Sequence, residues 1–75
     1  MIINADKGIT LEGVKMYNTG ISCLHAEETA NFLNSLGANV RAVNGKIYAR
    51  PEDVREACWI AEDYEYTVFP VIWEI

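Results

Sequence analysis

Cys23 and His25, with Ser22 beside them, are the residues in this chain of 75 whose types and spacing come nearest to a reactive centre. A thiol just ahead of a helix feels the positive end of the helix dipole, which lowers its pKa, and His25, the one histidine, is the only imidazole available to assist it. No third group is placed to orient the pair. As metal ligands Cys23 and His25 are two where a closed site needs about four, and the other thiol, Cys58, belongs to the apolar side of a later helical pattern. The chain contains no glycine-rich phosphate loop, no Ser-His-Asp set and no pair of carboxylates whose surroundings argue for a raised pKa. The expectation is a protein that is not an enzyme, with no catalytic residue, metal or cofactor.

The charged residues point to binding instead. Residues 52–65 hold Glu52, Asp53, Glu56, Glu62, Asp63 and Glu65 against Arg55 alone, and the rest of the chain is balanced, so this segment carries the whole net charge of -5. At 100° per residue Glu52, Glu56 and Asp63 fall on the outward side of a helix, with Trp59 among them and opposite Val54 and Ala61. An exposed tryptophan ringed by charge is where interface energy concentrates, because the indole fills a pocket while the rim steers a complementary surface. Glu52, Glu56, Trp59, Glu62 and Asp63 are therefore the expected partner-binding set. A sequence pI near 4.6 repels nucleic acid and anionic membranes, which leaves a protein with a basic surface as the partner.

A second chemistry lies in Arg41, Lys46 and Tyr48, expected on an open sheet face near Tyr17, Phe69 or Trp73. Bases stack on aromatic platforms of that kind, but two basic residues attract few phosphates and the sequence lacks RNA-binding signatures. The alternative use of such a face is ligand binding or a homodimer in a regulatory domain, against a monomer for the acidic-helix reading.

These residues need elements to hold them. Asn44-Gly45 supplies the two positive-φ positions of a type I′ turn, predicting a hairpin that pairs Val43 with Lys46, Ala42 with Ile47, Arg41 with Tyr48 and Val40 with Ala49. The apolar face of that hairpin is Val40, Ala42, Ile47 and Ala49. Ahead of it a helical pattern runs from Leu24 to Leu36, capped by Ser22 and ended by Gly37, with Ala26, Thr29, Ala30, Phe32, Leu33 and Leu36 inward. After it a second helix is expected over Pro51 to Tyr64, burying Val54, Ala57, Cys58 and Ala61, with proline and acid in its first turn. Met1 to Ala5 is expected to pair through Asp6-Lys7-Gly8 with a strand over Ile9 to Tyr17 that carries a bulge at Gly13. Thr67 to Trp73 is the last strand, placed at an edge by Pro70. The sum is one α+β domain over residues 1–75, a two-layer sandwich of order ββαββαβ with both helices on one face of an antiparallel sheet and ferredoxin-like order in the last six elements.

Gly20-Ile21-Ser22-Cys23-Leu24-His25-Ala26 resembles the loop of heavy-metal-associated domains, a Gly-Met-x-Cys-x-x-Cys pattern on a ferredoxin-like fold, and the resemblance extends to Pro51 to Ala57 and Tyr64 to Val68. Ala26 stands where the second ligand cysteine would be, so a metal site is not carried over. In size, acidity and architecture the chain is similar to the small phage-encoded proteins that block bacterial defence, the anti-CRISPR proteins. That resemblance implies an inhibitor that covers a basic, nucleic-acid-binding or assembly surface of its target. The absence of a long apolar run and of signal-peptide regions, with two cysteines expected as free thiols, predicts a cytoplasmic protein, in a bacterial host if phage-encoded.

Overall fold

The structure is a computed structural model that describes residues 4–6, 8–69 and 71–73, with side chains over 8–69. Strands β1 (Asn4–Asp6), β2 (Ile9–Leu11) and β3 (Val14–Asn18) precede helix α1 (Ala26–Ser35). A hairpin of β4 (Val40–Val43) and β5 (Lys46–Ala49) follows, then helix α2 (Val54–Asp63) and β6 (Val71–Trp73). An antiparallel four-stranded sheet of order β2-β3-β5-β4 and two helices make a small α+β fold.

The central hairpin has the expected register at all four pairs, and Asn44 and Gly45 take φ of 50° and 78° as the turn requires. Its apolar face meets both helices: Val40, Ile47 and Ala49 are buried against Ala26, Ala30 and Leu33 of α1 and Val54, Ala57 and Ala61 of α2. Small residues on both helices let them lie close to the sheet. Burying Leu33 and Ile47 completely is the largest local gain, since removing either to alanine costs about 2 to 5 kcal/mol in a packed core.

Both helices start later than their patterns suggest. Ser22 does not cap α1; its N–H donates to the Thr67 carbonyl at 2.8 Å, which holds residue 22 in extended pairing and defers the helix to Ala26. His25 takes the N-cap position, with its carbonyl accepting the Thr29 N–H. Gly37 does end the helix, at φ 101°, with the Gly37 and Ala38 N–H groups donating to Asn34 and Leu33 in a Schellman closure. Pro51, Glu52 and Asp53 form a turn ahead of α2 rather than its first turn. The Asp53 carboxylate accepts from Arg50 Nε at 3.0 Å and Asn39 Nδ2 at 3.3 Å instead of capping the helix.

The N-terminal third differs most from expectation. Glu12 and Gly13, at φ 51° and 80°, are not a bulge but a second two-residue turn, folding Ile9–Leu11 back on Val14–Met16. The element order is therefore βββαββαβ. β1 does not pair with this strand; it runs parallel to β6, with Asn4 opposite Val71 and Asp6 opposite Trp73. The last six elements keep the order βαββαβ, but β6 lies outside the four-stranded sheet. The bridge between Val68 and Ile21, the Ser22 N–H donating to the Thr67 carbonyl and the Phe69 N–H donating to the Gly20 carbonyl tie the C-terminal segment to the continuation of β3. Met1, Lys7 and Pro70, on which parts of the expected first and last strands rest, lie outside the described residues.

The β2–β3 hairpin also changes the sheet face opposite the helices. β3 touches β5 only through Tyr17 and Asn18, and Arg41 stands in the same row through Tyr48. In a flat sheet the run from Asn18 back to Glu12, at about 3.3 Å per residue, would leave the hairpin tip roughly 20 Å along the strand from that row. Yet Glu12 Oε1 lies 2.9 Å from Arg41 Nη2. The hairpin therefore bends so that its tip reaches the face that carries Arg41, and Met16 and Tyr48 are buried. Gly8 leads into this hairpin at φ 76°, where an added Cβ would lie 2.7 Å from the Met16 carbonyl oxygen, so only glycine fits.

Candidate functional site

α2 carries Glu56, Trp59, Glu62 and Asp63 of the expected set, and Glu52 lies in the turn ahead of it. With Val54, Ala57 and Ala61 fixed inward, helical rotation turns Trp59 to the far side, where it is 61% exposed, and Glu52, Glu56, Glu62 and Asp63 are exposed with it. Side chains far apart in sequence thus share one surface, because successive turns of α2 repeat the same outward direction. Glu56 lies in the first turn of α2, where the dipole favours it, but Glu62 and Asp63 lie in the last, which contains no basic residue. Glu65 follows at φ 68° in the left-handed closing position, its N–H and that of Tyr66 donating to Glu62 and Ala61. Gly37 fills the equivalent place after α1. Acid at the negative end of a helix, and a side chain in a conformation suited to glycine, both work against stability.

An apolar depression on the same helical layer escaped sequence reasoning. It has a volume of about 580 Å³ and is lined by Cys23, Leu24, His25, Glu28, Phe32 and Tyr66, among others. Leu24, expected to begin α1, lies in the loop before it and is 96% exposed. Phe32 and Leu36, expected inward, are 39% and 37% exposed, since they sit at the flank of the α1 face where the sheet does not reach. The Phe32 ring instead meets Tyr64 edge-on, with centroids 5.2 Å apart. The helix period places these residues at a margin; only the loop path shows that Phe32 shares a hollow with Leu24.

Cys23 and His25 do line one depression together, but no group of three His, Cys, Asp or Glu able to hold a metal occurs among the described residues. Both cysteines are free thiols. Cys58 turns toward β3, its Sγ–H donating to the Thr19 carbonyl at 3.5 Å. Burial, and secondarily the charge of Glu62, push its pKa above the ordinary 9.0, the opposite of what a nucleophile needs. Across the molecule, Arg41 and Lys46 are exposed on the strands of the central hairpin, but Tyr48 between them is only 9% exposed. Of the three residues expected there, the face thus exposes Arg41 and Lys46, with Arg41 paired to Glu12 at the hairpin tip, and buries Tyr48. Trp73 falls in β6, where only the backbone is described, and Phe69 is exposed beside Gly20.

No helix of the described residues is long and apolar enough to cross a membrane. Compared with known proteins, the chain matches no family model, no curated protein and no solved structure.

Proposed function

We propose that this is a non-enzymatic binding protein that docks the α2 face on a basic surface of another protein. The carrying observation is Trp59, 61% exposed on a helix segment whose Glu52, Glu56, Glu62 and Asp63 are exposed as well. Carboxylates on the rim raise the rate of encounter with a cationic surface, and the indole supplies the desolvated anchor that holds it. The size and acidity shared with phage-encoded anti-defence inhibitors suggest the kind of target, a groove that otherwise holds nucleic acid or a neighbouring subunit in a bacterial cytoplasm. The acidic face would compete there by presenting carboxylates where phosphates bind.

Capture of a partner from bacterial lysate on immobilised protein, followed by titration of the purified partner, tests the reading. Trp59→Ala combined with Glu56→Lys is expected to weaken binding at least about tenfold, with circular dichroism unchanged, because both side chains are exposed. Equal affinity of the variant and the parent for that partner removes the α2 face as the contact.

A further inference from the structure

From the depression around Leu24 we infer a second docking site, one that takes a short cationic segment of a protein partner carrying an apolar anchor. It is separate from the Trp59 face and does not require that face to be used.

Leu24 is 96% exposed, and a leucine held out from its own core on a loop gains nothing for the fold. It is not isolated. Phe32 and Tyr66 line the same hollow, and Tyr64 extends it through the edge-on contact with Phe32. Contiguous apolar surface of this kind marks an interaction site where scattered exposed residues do not. The hollow, about 580 Å³, has apolar walls at Leu24, Phe32 and Tyr66 and polar ones at Ser22, His25, Glu28 and Thr29, room for an anchor side chain together with the residues that flank it.

The charge at the rim selects the occupant. Glu28 lines the hollow, and neither Lys nor Arg is among the lining residues. A second copy of this chain would bring an identical acidic rim and a net charge of -5 against the first, so self-association through this surface is opposed. A segment with Lys or Arg close to a leucine or aromatic side chain satisfies both parts: the anchor enters the hollow and the cation meets Glu28. Tyrosine rings beside the hollow also suit a cation by direct attraction to the ring face.

Selection of a random-peptide display library on the full chain tests this, followed by titration of the enriched peptides into isotope-labelled protein. Enriched sequences should place Lys or Arg near an apolar residue, with shifted amide signals gathered at Leu24, Phe32 and Tyr66. Leu24→Ser, which removes no buried group, should weaken the tightest peptide about tenfold, while Trp59→Ala leaves it unchanged. The inference is overturned if no sequence is enriched, if enriched peptides are acidic or lack charge, or if Leu24→Ser binds equally well. Loss of peptide binding in Trp59→Ala alone would assign capture to α2 and likewise overturn this site. A concentration-dependent dimer abolished by Leu24→Ser would make a second copy the occupant instead, against the inference.

Discussion

Cys58 shows how burial decides what a single side chain does. Its thiol is held against the Thr19 carbonyl on the inner side of α2, with Glu62 one turn further on, and both surroundings disfavour the thiolate. In the unfolded chain the same thiol ionises near its ordinary 9.0. Between that value and its higher folded pKa the unfolded state has lost a proton that the folded state retains. The contribution of Cys58 is therefore fully present below the unfolded pKa and is lost as pH rises through the folded pKa. Denaturant midpoints measured from neutral pH to about 10 should fall with pH in the parent, and the fall should be shallower in Cys58→Ala. Parallel curves for the two proteins would assign the alkaline loss to other groups. Asn34 teaches the complementary lesson: the helical wheel puts it among the outward polar residues of α1, yet its amide donates to the Val40 carbonyl at 3.0 Å and accepts the Val40 N–H at 2.8 Å. The side chain stands in for the strand that edge strand β4 lacks, a pairing that helical periodicity alone does not reveal.

The two hairpins separate what local chemistry specifies from what the tertiary structure imposes. Asn44-Gly45 is the preferred pair for two successive positive φ values, and the whole register of β4 and β5 is readable from it. Glu12-Gly13 adopts the same turn with a residue that resists its first position, so the alternation of Ile9, Leu11, Val14 and Met16 suggests one bulged strand. The structure resolves the conflict by folding the strand in two and placing Glu12 against Arg41. That ion pair is exposed on both sides, where such contacts contribute about 0 to 1 kcal/mol. Left-handed backbone in a side chain other than Gly, Asn or Asp costs about 1 to 2 kcal/mol. Strain therefore outweighs the ion pair, and Glu12→Asn should raise the melting temperature despite losing the contact with Arg41. Glu12→Gln, which keeps the strain and removes only the charge, should melt at or slightly below the parent. A Glu12→Asn protein that melts below the parent would show that the Arg41 contact contributes more than relief of the turn. The parallel pairing of β1 with β6 is unreadable for a different reason: partners at opposite ends of the chain leave no local signature, and short strands of three residues carry little alternation.

At the scale of the molecule, Glu52, Glu56, Glu62, Asp63 and Glu65 are exposed on α2 and the residues flanking it, while Arg41 and Lys46 lie exposed on the central hairpin. Packing does not require this. Glu62 and Asp63 oppose the dipole of α2, and Glu65 occupies a left-handed position at φ 68° that Gly37 fills without strain after α1. Where local choices run against the fold together, the compensating gain is sought in function, since proteins keep destabilising residues where activity needs them. Stability and binding should therefore move in opposite directions at these sites. Asp63→Lys replaces a repulsive end charge with an attractive one, worth about 0.3 to 1 kcal/mol at an exposed helix terminus, and Glu65→Gly relieves backbone strain of about 1 kcal/mol or more. Each variant should melt above the parent, and added salt should raise the parent's melting temperature more than that of Asp63→Lys, because there is less repulsion left to screen. Asp63→Lys should at the same time weaken capture of a basic partner by α2, and Glu65→Gly, which removes a single charge, should weaken it less. A variant that gained stability and kept full affinity would show that the acidic end of α2 is tolerated by the fold without serving the docking surface.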